Sequence, residues 1–308
     1  MSSVENQLLT QFAQAYLTEQ KRQARWRWFW RIFWACLIGL FVWGVMQEVP
    51  NASTPSQPHT ALVEVHGEIS SDAESNADDL NASLRTAFED EGARAVIIRF
   101  NSPGGSPVQA GLVHDEIKRL KTKHKKKVYA VCEEMCASAA FYMAVAADQI
   151  YVDKASIVGS IGVLMDGFGF TGVMDKLGVE RRLMTAGSNK GMLDPFSPRN
   201  RDQEVYAQAM LDQIHQQFIK VVREGRGKRL KEDTNTFSGM FWNGEQAVSL
   251  GLADHLGNID TVARDVVKAE EIVDYTVKEN LAERLAKEFG ASVGAGAMRA
   301  MRGATTIH

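Results

Sequence analysis

The chain has 308 residues, 45% hydrophobic and 24% charged, a composition that supports a packed core without disulfides. A net charge of -3 and a pI near 6.2 exclude a global basic excess, so charge balance gives nucleic-acid binding no support. Of the three cysteines, Cys132 and Cys136 are four apart without His or Cys partners at ligand spacing; no metal is implied, and both read as buried free thiols.

Residues 1–27 carry Leu8, Phe12, Ala15 and Tyr16 at helical spacing and then a basic cluster, Lys21, Arg22, Arg25 and Arg27. Residues 28–46, apolar save Arg31 and ending in IFWACLIGLFVWGVM, approach the ~20 residues that a helix needs to span a bilayer. Basic residues precede this run, whereas Gln47, Glu48 and NASTPSQPHT follow it, so the N-terminus is expected in the cytoplasm and the remainder outside. The run is bulky, Trp-rich and without a clear A-x-A site, which favours an uncleaved anchor over a signal peptide. Residues 47–60, with three prolines, form a linker.

A domain is expected over residues 61–282. TALVEVHGEI reads as a strand, NADDLNASLRTAFED as a helix with Leu80, Leu84 and Phe88 on one face, and ARAVIIRF as a strand buried on both faces. SPVQAGLVHDEIKRLK (helix), KKVYAVC (strand), SAAFYMAVAAD (helix) and QIYVD (strand) repeat the alternation, which predicts an α/β fold with a largely parallel sheet. VERRLMTA reads as a further strand, RDQEVYAQAMLDQIHQQFIKVVREGR as a long amphipathic helix, and residues 283–308 as a Gly/Ala-rich tail. Lys118, Arg119, Lys121, Lys123, Lys125, Lys126 and Lys127 form a basic run, read as a solvated face or, for a tethered domain, a contact with anionic lipid.

Two strand-to-helix junctions carry the chemistry. In NSPGGSPVQAG, Gly104 and Gly105 leave backbone N–H groups free to point at a ligand oxygen, as in an oxyanion hole; a tight turn is the plain alternative. Neither GxxxxGKS/T nor GxGxxG is present, and no cofactor is implied. Ser138 occupies the equivalent place after the next strand, flanked by Ala137, Ala139 and Ala140, and turns after parallel strands emerge at one sheet edge. The serine is either a packing residue or a nucleophile, and a nucleophile needs a base.

None of His59, His66, His114, His124, His215, His255 and His308 is compelling as that base. Lys190, in the loop LMTAGSNKGMLDPFSP, is the alternative, and Ser160 in IVGSIGV is a hydroxyl that could hold its amine. A lysine base must be neutral, which requires lowering a pKa of ~10.4 by roughly 3.4 units, mainly by desolvation.

The motifs NSPGGSPVQA, CASAAFYMAVAADQIYVDKASIVGSIGV, TAGSNKGMLDPFSP and FWNGEQAVSLGLADHLGNID, in this order, resemble the short, single-domain form of the signal peptide peptidase A family. The resemblance implies a Clp/crotonase-type fold and a bacterial inner-membrane Ser-Lys peptidase, with its catalytic domain on the periplasmic side. It implies Ser138 as nucleophile, Lys190 as general base, Ser160 as the hydroxyl orienting Lys190, and Gly104 with the amide of Gly105 or Ala139 as oxyanion donors. Expected partners are remnant signal peptides or other membrane-associated peptides, membrane lipid and further copies of the chain in a ring or dome. Where relatives often have Gly-Gly-Tyr after the serine, this chain has Ala139, Ala140 and Phe141, which narrows the pocket wall. A non-catalytic membrane scaffold of the same fold and a crotonase-like acyl-CoA enzyme remain as alternatives.

Overall fold

The computed structural model describes residues 25–40 and 57–277. The chain divides into two compact units, Met1–Ser53 with Glu279–His308, and Thr54–Lys278. Of the first unit, the described part is one helix, 25–40 (α1), with Trp26, Trp28, Trp30 and Trp34 exposed along it. The expected anchor runs to residue 46, but 41–46 lie outside the described residues; within them no helix is long and apolar enough to cross a membrane. The expected C-terminal tail, 283–308, lies outside them as well.

The second unit is built on a sheet laid down by βαβ units. The first strands are His59–Ile69 (β1), Ala93–Gly105 (β2) and Lys127–Ala137 (β3), joined through helices Ala77–Glu89 (α2) and Pro107–His124 (α3). After the short helix Ala139–Ala144 (α4) come Gln149–Val152 (β4) and Ile157–Gly159 (β5). Helices Thr171–Leu177 (α5) and Arg201–Arg226 (α6) follow, then Phe241–Trp242 (β6), Gly244–Ser249 (α7), His255–Leu256 (β7), the helical turns from Ile259 (α8), and Ile272–Asp274 (β8). The strand order is β6-β5-β3-β2-β1-β8, with β4 pairing β3 and β7; all pairs are parallel except β5 with β6.

The continuous apolar character of the strands follows from cover on both faces. Ala61, Val63 and Val65 of β1 and Val96, Ile98 and Phe100 of β2 enter the main core, while Leu62 and Ile97 between them enter a second cluster with Val131, Tyr151 and Val262. Asn76 and Ser106 cap α2 and α3 by accepting the N–H of Asp79 and Gln109. Lys126 closes α2 from the other end, its ammonium donating to the carbonyls of Asp90 at 2.7 Å, Phe88 at 3.1 Å and Ala87 at 3.4 Å. Lys121 similarly donates to the Ala146 carbonyl, and burial lowers the pKa of both lysines. Part of the basic run is therefore committed to helix ends and turns inside the protein. Cys132 and Cys136 are buried free thiols.

Arg85 of α2 and Arg119 of α3 both grip Glu116, at 2.6 Å each. The bonds to Arg119, opposed by burial and reinforced by Arg85, lower the Glu116 pKa to about 2 from an ordinary 4.5. A depressed carboxyl pKa stabilises the fold above the unfolded value and loses that contribution as the pH falls towards the folded one. With both arginines half exposed, Glu116→Gln is expected to cost about 1–2 kcal/mol at pH 7. Urea unfolding of the two proteins checks this, with the difference shrinking between pH 4.5 and pH 2.

Three local expectations change. VERRLMTA, residues 179–186, forms no strand and is exposed throughout, and it pairs with none of the strands of the sheet. β2 continues through Pro103 and the glycines to Gly105, since Glu68 and Ile69 of β1 pair with Gly104 and Gly105. The helix after Ser138 is regular only to Ala144, beyond which the chain turns into β4.

Candidate active site

Ala137, the last residue of β3, lies opposite Gly159, the last of β5, in parallel register. The Ser138 N–H donates to the Gly159 carbonyl at 2.8 Å, so Ser138 and Ser160 leave their strands side by side. Both serines have positive φ, Ser138 at 54° with ψ -122° and Ser160 at 51°. A side chain in such a conformation costs roughly 1–3 kcal/mol and persists only where its surroundings impose it. Cys136, Ala137, Ala139 and Ala140 are buried around Ser138. On the far side of β5, a Cβ on Gly159 would lie 2.7 Å from the ring of Trp242, so the FWNG motif presses directly on the strand that presents Ser160.

The two serines open on one cavity of about 640 Å³. Gly105 and Ala139 line it near Ser138, and Tyr142, His215 and Phe218 form an apolar wall with one imidazole in it. Among its lining residues there is no Lys, Arg, Asp or Glu. Burial, assisted by the charges of Asp115 and Glu224, raises the Tyr142 phenol above its ordinary pKa. His215 lies within hydrogen-bonding distance of the Ile161 carbonyl, its Nε2 at 3.0 Å. Mid-helix position alone did not single out His215; its spacing of three and seven from Phe218 and Val222 on the buried face of α6 is the signal that could have.

Gly104 stands where β2 packs against Ser138. A Cβ there would lie 2.7 Å from Ser138 Cβ, 2.8 Å from the Ala137 oxygen and 2.9 Å from the Ala139 nitrogen, at φ 105°. Gly104→Ala is therefore expected to push Ser138 out of place and lower turnover by about 100-fold, a loss that steady-state kinetics on the folded variant checks. The Gly104 N–H donates to the Ser102 hydroxyl at 3.1 Å.

Lys190 is exposed in a turn whose N–H donates to the Gly187 carbonyl at 3.1 Å, and it does not line the Ser138 cavity. Within one chain Ser138, Ser160, Gly104, Gly105 and Ala139 are brought together and Lys190 is not. The segment around Lys190 is unusual: no residue from 162 through 206 is buried, although Leu164, Phe168, Leu177 and Met184 are between 71% and 94% exposed. It is held by local contacts, including the stacked rings of Phe170 and Phe196 and the Arg181–Asp194 ion pair at 2.8 Å.

The profile of peptidase family S49 matches residues 120–273, a stretch that contains Ser138, Ser160, Lys190 and the FWNG loop. The chain belongs to peptidase family S49. Within that family it is similar to a protein named as a protease in Methanocaldococcus jannaschii, 32% identical over 197 residues that cover 62% of this chain and 63% of that protein. A protein of Enterococcus faecium named as signal peptide peptidase SppA is 27% identical over 196 residues, covering 64% of this chain and 57% of that protein. A Brucella abortus protein named Na(+)/H(+) antiporter NhaA is 41% identical over 221 residues, 70% of this chain but 30% of that protein. Most of the protein bearing the antiporter name lies outside the shared stretch, and ion transport is not carried over. The chain thus spans less than two thirds of the length of each of these relatives. The S49 match begins after Gly104 and Gly105, so their place in the site rests on the geometry above.

Proposed function

We propose that this S49 chain is a membrane-anchored serine endopeptidase with a Ser138–Lys190 dyad that acts on remnant signal peptides or other membrane-associated peptides. The observation that carries this reading is the strained serine beside two close-packed glycines, at the mouth of a cavity without charged lining, in a chain of a peptidase family. Lys190 takes the proton of Ser138 Oγ, which attacks the peptide carbonyl, and the oxyanion is held among Gly104, Gly105 and Ala139. The leaving amine takes the proton from Lys190, and water then cleaves the ester by the same route in reverse.

Lys190 reaches Ser138 from a second copy of the chain. The exposed apolar surface of residues 162–206 supports this, because association would cover it and would also withdraw the lysine from water, as a neutral lysine base requires. Ser160 receives the incoming amine, a role supported by its position in the same cavity as Ser138. A cavity without charged lining suits peptides with small, uncharged side chains at the cleaved bond. The tryptophan-rich face of α1 supports the anchor, with the N-terminus cytoplasmic and the peptidase unit outside.

Mixing inactive Ser138→Ala and Lys190→Ala chains tests the assignment. Activity is expected to return in the mixture, because each variant carries the residue that the other lacks. A mixture as inactive as its components overturns the shared dyad, and a fully active Lys190→Ala chain together with an inactive His215→Gln chain transfers the base to His215.

A further inference from the structure

We infer that Ser102 is a positioning residue of the oxyanion site, anchoring the Gly104 amide so that the neighbouring Gly105 N–H faces the attacked carbonyl. The inference rests on the peptidase reading and goes beyond it by giving the two glycines different tasks. Ser102 is fully buried, and its Oγ accepts the Gly104 N–H in a buried bond of 3.1 Å. Proline has no N–H, so Gly104 offers the first amide after Ser102 that its own hydroxyl can meet, and the Pro103 ring fixes the intervening φ. The turn is thereby locked from within, independently of substrate.

Pro103 and Gly105 line the Ser138 cavity, but Gly104 between them does not. The Ser106 N–H is turned towards β1, where it donates to the Ile69 carbonyl at 2.8 Å. With the Ser106 amide taken by β1 and Gly105 on the cavity wall, the Gly105 N–H is the one assigned to the Ser138 side. Gly104 is then the close-approach residue, with no room for a Cβ beside Ser138 and Ala139, and Gly105 is the donor. A buried donor left without Ser102 would seek another partner, and the flexible Gly-Gly backbone would follow it.

Ser102→Ala and the near-isosteric Ser102→Cys, a poor acceptor, test the inference in the full chain with a fluorogenic peptide and a peptide aldehyde, whose serine adduct carries its oxygen in the oxyanion position. Both variants are expected to lose about 10- to 100-fold in kcat with KM within about twofold of wild type, and to weaken the aldehyde by a similar factor. Their melting temperatures should stay close enough to wild type for the enzyme to remain folded in the assay. Unchanged or raised kcat in both variants overturns the role; a rise would mean that the hydroxyl competes with the oxyanion. A wild-type chain that neither cleaves the peptide nor reacts with a fluorophosphonate at Ser138 instead overturns the peptidase reading on which the inference rests.

Discussion

Replacing Ser138 with alanine is expected to lower peptide turnover by at least about 10⁴-fold while leaving the protein folded. In the proposed mechanism this residue supplies the one atom that bonds to the substrate, so neither the proposed oxyanion donors nor the cavity can offset its removal. Its exchange removes one oxygen from a half-buried position and adds no volume; the positive φ that serine tolerates at 54° is imposed by the Gly159 bond and the buried alanines, which remain. Thermal unfolding should therefore shift little, and labelling by a fluorophosphonate should vanish. Lys190→Ala should match this loss without adding to it in a double variant, since the members of a catalytic unit fail together. Turnover retained by Ser138→Ala would sink the assignment.

Asp254→Ala should produce the largest loss of stability. Arg226, whose side chain is fully buried near the end of α6, donates to both Asp254 oxygens at 2.8 and 2.9 Å and to the Gly251 carbonyl at 2.8 Å. Asp254 also accepts the Ile150 N–H at 2.7 Å and a bond from Arg229 at 3.1 Å. Burial works to raise the Asp254 pKa, but the bonds and charge of Arg226 outweigh it and hold the carboxyl below its ordinary range. Removing the carboxylate leaves a buried guanidinium without its counter-ion and an orphaned strand amide, at a cost of about 3–5 kcal/mol, a large part of the 5–15 kcal/mol that holds an ordinary domain together. Urea unfolding measures it directly. Because α6 also carries His215 and Phe218 of the cavity wall, activity should fall at temperatures where the variant is still mostly folded. A change below about 1 kcal/mol would mean that water replaces the carboxylate at this depth.

Much of this architecture was legible in residue pattern. The alternation of apolar runs with amphipathic segments predicted the parallel sheet, and the long helix was read over the same residues, 201–226, that form it. The motifs predicted the family. VERRLMTA was misread because apolar residues in a short run signal burial without saying by what, and among the described residues nothing covers them. The proposed anchor has its described portion in α1, while residues 41–46 lie outside the described part of the chain.

By itself the sequence determined which residues can do chemistry and on which junctions they sit, because local propensity and periodicity are properties of neighbours along the chain. Only the tertiary structure decided which of them meet. Parallel register between β3 and β5 sets Ser138 beside Ser160, a missing Cβ at Gly104 lets β2 approach Ser138, and α6 folds back to put His215 and Phe218 on the cavity wall. The same folding leaves Lys190 exposed and away from that cavity, since contacts between distant segments depend on strand pairing and packing that no local pattern encodes.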